Sequence, residues 1–265
     1  MSTNTLCAKD IKAGYGDKNI LQSVNLHIPE NKISVILGSN GSGKSTMLKT
    51  FCRLIAPTAG VVTLGDKPLS HLKSKDIAKS IGLLPQTSMA PEGIKVAELV
   101  SRGRYPHRKF MEPLSKEDYA AIEEAMKVMK ITDLADYSID ELSGGQRQRV
   151  FIAQALAQET DILFLDEPTT YLDIAYQIEI LDLLKELNRK KGTTLAMVLH
   201  DINLSCKYAD YHFAMKKGTL IKEGTPSEII TKETIKDIYG IDSVIISDPL
   251  TNDPIVVPKS STQHS

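Results

Sequence analysis

Residues Ile33 to Thr46 read ISVILGSNGSGKST, an apolar run delivered straight into a glycine-rich loop. A short run without polar alternation fits a strand buried on both faces of a parallel sheet. Gly38 to Ser45 then fits G-x-x-x-x-G-K-[ST], and a helix is expected from Lys44 to about Leu54. Strand, loop and helix in that order are the context this motif requires. Backbone N–H groups across Gly38, Ser39, Asn40, Gly41, Ser42, Gly43 and on to Thr46 are expected to wrap phosphates. Lys44 is expected to reach the β and γ phosphates in binding and in catalysis, and Ser45 to hold Mg²⁺. The motif predicts a nucleotide-binding α/β core and leaves the task open.

Upstream, Leu6 to Ile28 alternates apolar and polar residues around AGYGDKN, the pattern of antiparallel strands. Downstream, the PTAG turn at Pro57 to Gly60 leads into VVTLG, and IGLLPQ ends a further strand. Between Pro91 and Gln158 helical spacing takes over, in KVAELVSRG, KEDYAAIEEAMKVMK and the segment opened by SGGQ. Strands return at ILFLD (Ile162 to Asp166) and TLAMVL (Thr194 to Leu199), separated by an amphipathic helix around IEILDLLKELNRK. Near the end, VIIS and IVV flank DPLTNDP as a hairpin, and PKSSTQHS reads as a frayed tail.

The 265 residues are ample for a large core, and 42% hydrophobic with 25% charged residues is ordinary for a globular protein. A net charge of -1 argues against a chain built mainly to grip nucleic acid. Cys7, Cys52 and Cys206 are scattered and form no CxxC pair, which suits reduced thiols. MSTNTLCAKD lacks the basic and apolar regions of a signal peptide, and no apolar run approaches the roughly 18 residues that span a bilayer. The chain is expected in the cytoplasm. No internal repeat appears, so one nucleotide domain is expected.

Two further stretches bear on chemistry. Asp166 and Glu167 emerge at the end of the buried run Ile162 to Leu165, where α/β sheets bind ligands. Asp166 is placed to organise the Mg²⁺ shell and Glu167 to polarise a water for attack on the γ phosphate. ELSGGQRQRV (Glu141 to Val150) opens a helix with Ser143 as cap and two bare glycines, a second anion cradle in the same chain. His200 ends LAMVLH, where a lone histidine is most often a hydrogen-bonded core residue. The RQR piece reads as a solvated helix face.

Taken in chain order, these residues resemble the nucleotide-binding subunit of an ABC transporter along nearly the whole chain. Tyr15 matches the aromatic that stacks on adenine, GSNGSGKST the Walker A loop, and Gln86 the Q-loop glutamine. LSGGQ (Leu142 to Gln146) matches the family signature, ILFLDE Walker B, TYLD (Thr170 to Asp173) the D-loop, and His200 the switch histidine. The resemblance implies an ABC ATPase fold: a RecA-like P-loop NTPase core, an N-terminal antiparallel β subdomain and an inserted α-helical subdomain. It divides the chain into an ATPase domain, 1–241, with core 1–86 and 159–241 and helical subdomain 87–158, then a C-terminal hairpin and tail, 242–265. It implies catalytic roles for Glu167, His200, Lys44 and Gln86, and Mg²⁺ contacts from Ser45, Gln86 and Asp166. It implies ATP contacts from Tyr15, Gly38 to Thr46, Ser143, Gly144, Gly145, Gln146 and Asp173. It also implies two copies packed head to tail, so that each SGGQ faces the ATP held by the other.

VAELVSRGRYPH (Val96 to His107), TTYLDIAYQIEIL and VLHDINLSCKYAD narrow the resemblance to the subunits that drive iron–siderophore, haem and cobalamin importers. In those, the GRYPH region meets the permease; a plain reading of Arg102, Arg104, His107 and Arg108 is a solvated basic loop. Tyr176 departs from the histidine common there. The implied partners are a second copy across two ATP, multi-spanning permease subunits and, indirectly, an extracytoplasmic siderophore-binding protein. The implied place is the cytoplasmic face of the membrane. A soluble ABC ATPase working on nucleic acid or ribosomes is disfavoured, lacking coiled-coil insertions or tandem nucleotide domains.

Overall fold

A computed structural model describes residues 5–109 and 112–260. In chain order the elements are β1 (Leu6–Tyr15), β2 (Lys18–Ile28), β3 (Ile33–Leu37), α1 (Lys44–Phe51), β4 (Ala59–Leu64), β5 (Lys67–Pro68), α2 (Ser74–Ser80) and β6 (Ile81–Leu84). The helical stretch holds α3 (Val96–Ser101), a 3-10 segment Arg102–His107, α4 (Lys116–Val128) and α5 (Gly144–Leu156). Then come β7 (Ile162–Asp166), α6 (Ile174–Lys191), β8 (Thr194–Val198), α7 (Ile202–Tyr208), β9 (Tyr211–Lys216) and β10 (Thr219–Gly224). The chain closes with α8 (Pro226–Ile229), α9 (Lys232–Tyr239), β11 (Ser243–Ser247) and β12 (Pro254–Pro258). The tail expected beyond β12 lies largely outside the described residues.

A six-stranded sheet in the order β10-β9-β3-β8-β7-β6 organises the molecule, with β10 antiparallel to β9 and the remaining pairs parallel. A four-stranded antiparallel sheet, β2-β1-β4-β5, lies against one face. Every residue of β3 is buried, and its period of two splits the core. Ile36 packs on α1 and the antiparallel sheet, with Phe51 stacked on Phe164 at 5.8 Å. Ile33, Val35 and Leu37 join Leu163, Leu165, Leu195 and Met197 beneath the helices on the other face. The unbroken apolar runs in the sequence are the signature of strands covered on both sides.

β6 and β7 are neighbours, yet residues 85–161 separate them, so the whole helical stretch is one crossover. Arg104 locks this crossover together. It is buried, its Nε donates to Asp118 at 2.8 Å, and its Nη1 donates to Glu159 and to the Ala157 carbonyl at 2.7 Å. His107 Nε2 lies 2.8 Å from the Gln158 carbonyl. The solvated-loop reading therefore fails at Arg104: the guanidinium is consumed inside the fold because partners distant in sequence satisfy its donors. The solvated-helix-face reading of RQR fails at Arg149, which is buried, pairs with Glu179 of α6 and sits 5.9 Å from the Tyr176 ring centroid.

Burial pushes the Asp118 carboxyl up, but the Arg104 hydrogen bond and the Ser115 N–H outweigh it and hold it below the usual range. Stability from this group is complete above the unfolded carboxyl value and is lost as pH falls through the lowered folded one. Arg104→Ala strands that carboxylate in the interior. It is expected to cost about 3–5 kcal/mol by denaturant titration, without moving any nucleotide contact.

Candidate functional site

The C-terminal ends of four adjacent parallel strands carry the chemistry. β3 ends at Leu37 and runs into the glycine loop; β8, its neighbour, leads to His200; β7, next in order, ends on Asp166; β6, at the edge, leads to Gln86. The carboxyl edge of a parallel sheet is where such folds bind ligands. Loop geometry follows from residue type. Gly41 and Gly43 hold φ of 78° and 103°, the left-handed region that a side chain disfavours. A Cβ on Gly38 would lie 2.7 Å from the Met215 carbonyl oxygen and 2.4 Å from Ser42 Oγ.

Lys44 Nζ donates to the carbonyls of Gly38 and Ser39 at 2.8 and 3.1 Å, folding the side chain over the loop. Burial pushes its ammonium down, and the carboxylates of Glu167 and Asp166 push it back up. Ser45 Oγ donates to Asp166 Oδ1 at 3.0 Å, joining the α1 start to the end of β7. A hydroxyl and a carboxylate at that spacing are hard oxygen donors of the kind Mg²⁺ takes, so these residues fit the ion. Burial raises Asp166, and the Ser45 bond partly offsets this.

Glu167 adopts φ 57°, rare for a residue with a side chain and typical of a held functional site. Its carboxylate takes Thr170 Oγ1 at 3.1 Å and lies 2.8 Å from His200 Nε2. Burial pushes its carboxyl up; hydrogen bonds from His200, Gln86 and Thr170 prevail and keep it below the usual glutamate range. His200 itself is half exposed and points at Glu167, so it is not the core histidine its position alone suggested.

A cleft of about 350 Å³ gathers Tyr15 and Ile20 of the antiparallel sheet, Asn40, Gly41, Gly43 to Thr46, Gln86 and Glu167. Ser143, Gly144, Gly145, Gln146 and Asp173 do not line it. They form another surface. Ser143 caps α5 in a capping box with Gln146, Gly144 faces open space, and Asp173 caps α6 through the Tyr176 N–H. Gly145 is closed from behind, since a Cβ there would meet the Tyr176 ring at 2.7 Å. The SGGQ turn and the start of α6 thus pack as one unit.

The family model described as ABC transporter matches residues 21–170. The chain belongs to the ABC transporter family. The ferric enterobactin transport ATP-binding protein FepC of Escherichia coli (strain K12) is 48% identical, covering 100% of this chain and 97% of that protein. An inward-facing structure of a metal-chelate type ABC transporter superposes with a TM-score of 0.84 at 27% identity, over 98% of this chain and 99% of its own. A dimeric bacterial ABC transporter cassette, MJ0796, gives 0.72 at 31% identity, over 83% and 98%. This ABC subunit is an ATPase.

Sequence motifs overlooked one contact of this ABC cassette. Gly218, in the β9–β10 turn, donates its N–H to the Ser42 carbonyl at 2.9 Å and accepts from the Gln22 N–H at 2.8 Å. It stitches the phosphate loop to β2, and its φ of 80° and a Cβ position 1.8 Å from the Ile20 oxygen require glycine. The KG pair at Lys217–Gly218, between two strand-like runs, was the available signal.

Proposed function

We propose that two copies of this chain clamp ATP between them beneath a permease and drive uptake of iron–siderophore complexes from the cytoplasmic face of the membrane. The observation that carries the clamp is the split of the ATP-binding set. Tyr15, Lys44, Ser45, Gln86, Asp166 and Glu167 converge at one sheet edge, while Gly144 and Gly145 carry helix-start N–H groups elsewhere, on a turn whose Ser143 and Gln146 N–H groups are taken by the capping box. A helix start built this way favours an anion. In a head-to-tail pair it caps the γ phosphate held by the partner copy, and Asp173 joins it.

Within each half-site, Lys44 moves from the loop carbonyls to phosphate oxygens, and Tyr15 offers its exposed ring to the base. Ser45, Asp166 and Gln86 would hold Mg²⁺, which would supply charge neutralisation at the phosphates. Glu167 accepts the proton of the attacking water, and His200 keeps that carboxylate ionised and aimed.

The permease surface follows from the stretch after β6. Gln86 lines the nucleotide cleft, whereas Pro85, Thr87, Ser88 and Met89 line a groove of about 440 Å³ with Arg102, Tyr105 and Phe151. Met89 and Tyr105 are 88% and 78% exposed, apolar surface available to a partner. One short segment therefore touches both ATP and the docking groove. Tyr105 of the GRYPH stretch and Arg102 just before it serve docking, and Arg104 serves the fold.

Likeness to the ferric enterobactin relative along the full chain supports the siderophore cargo, with an extracytoplasmic binding protein delivering it. Deletion of the gene is expected to stop growth on ferric siderophores as sole iron source, and the tagged protein is expected to co-purify with a multi-spanning permease. Normal growth on every chelate, or recovery with ribosomes or nucleic acid alone, overturns the proposal.

A further inference from the structure

Tyr239, the last residue of α9, accepts the Gly38 N–H on its hydroxyl at 3.3 Å, across 201 positions of chain. Gly38 begins the phosphate loop one residue past the last β3–β9 register pair, Leu37 with Ala214. We propose that Tyr239 is a positioning residue for ATP binding, fixing the entry of the phosphate loop from behind.

Each end of that contact is held. On the loop side, a Cβ on Gly38 would meet Ser42 Oγ and the Met215 carbonyl, so only glycine lets the loop entry pass this close to both. On the helix side, Thr231 caps α9 through the Thr234 N–H at 3.2 Å, and Gly240 ends it at φ 73° directly after Tyr239. Lys216 of β9 pairs with Asp237, two residues before Tyr239, tying α9 to the strand beside β3. The phenol is largely buried, and burial raises its pKa while the Gly38 N–H pulls it back. It stays a neutral hydroxyl at physiological pH and keeps its acceptor on the amide.

The loop is therefore pinned at two places away from the nucleotide. Gly218 holds Ser42 from the β9–β10 turn, and Tyr239 holds Gly38 from α9. Its phosphate-facing amides are free to point at ligand because the amide at its entry is already satisfied. Phosphates sit on these amides in the ground state and in the transition state alike, so loosening the loop weakens both equally. Such uniform loss raises KM and leaves kcat in place.

The Gly38 N–H expected on phosphate is taken instead by Tyr239, so the inference rests on residues 39–46 holding the ATP phosphates, and the test separates the two. In the full-length protein, Tyr239→Phe keeps the ring and removes the hydroxyl. KM for MgATP is expected to rise about 3- to 10-fold, with kcat within about twofold; orphaning the buried Gly38 N–H is expected to lower the nucleotide-free melting midpoint by only a few degrees. Lys44→Ala, with trinitrophenyl-ATP as probe, is the companion measurement. An unchanged KM in Tyr239→Phe, or a loss confined to kcat or to melting temperature, overturns the role of Tyr239. Should Lys44→Ala still bind the probe at parental affinity, the loop assignment itself fails.

Discussion

Glu167→Gln is expected to bind ATP at least as tightly as the parent and to lose turnover by a factor of about 100 to 10,000. The size follows from what the substitution spares. A carboxamide has the same shape, and its oxygen still accepts from Thr170 and from His200, which sit 3.1 and 2.8 Å from the parent carboxylate. Only the charge and the basicity go. Removing a negative charge beside Asp166 also relieves repulsion toward the triphosphate, because Glu167 is one of the groups that raise the Asp166 carboxyl. The ATP-bound pair of subunits should then persist long enough to be seen by size exclusion.

The same environment sets the acid limb of the parent enzyme. The folded Glu167 carboxyl lies below its ordinary value, so with Glu167 as the proposed base the carboxylate stays ionised down to that lowered pKa, and activity is expected to fall as pH drops through it. An acid limb set by Glu167 near pH 6 or above would contradict this. Single-turnover hydrolysis with bound ATP separates the chemical step from exchange. A Glu167→Gln variant that turns over at the parental rate removes Glu167 as the base.

Much of the core could be read because its rules are local. Ile33 to Thr46 and Ile162 to Glu167 each write strand and ligand loop into one continuous stretch, and both run as expected, although α1 ends at Phe51 rather than near Leu54. Strand order is another matter. Nothing local says that β8 lies between β3 and β7, and that interposition is what brings His200 within reach of Glu167. The β9–β10 pair escaped notice because YHFAMKKGTLIKEG mixes charges into runs that are half exposed on β10. Gly218 and Tyr239 each engage a backbone group of the loop, Ser42 and Gly38, that lies far away in the chain, so no local pattern reveals the partner. Arg104 and Arg149 misled because buried arginines are rare unless paired, and the pairing residues lie 14 to 55 positions away for Arg104.

The separation of Ser143 from the cleft makes the strongest test of shared active centres. Lys44→Ala removes the ammonium from the loop; Ser143→Arg places bulk and positive charge where the partner's γ phosphate must seat. Both are made in a Glu167→Gln background so that bound ATP survives. In either variant alone, both composite sites of a dimer are damaged, and ATP-dependent dimerisation is expected to vanish. When the two are mixed, random pairing makes about half the dimers mixed ones. One site of a mixed dimer carries both lesions, and the other joins an intact Lys44 loop to an intact Ser143 turn. Partial dimerisation is therefore expected from the mixture and from neither variant alone. Ser143 caps α5, so its loss costs about 1 kcal/mol of stability, which circular dichroism of the single variant will register as a small shift rather than unfolding. A mixture that elutes as monomer while both variants remain folded means that each chain closes its own SGGQ turn over its own nucleotide. The packing of Gly145 against Tyr176 opposes that outcome, because α5 cannot swing toward the cleft without breaking away from α6.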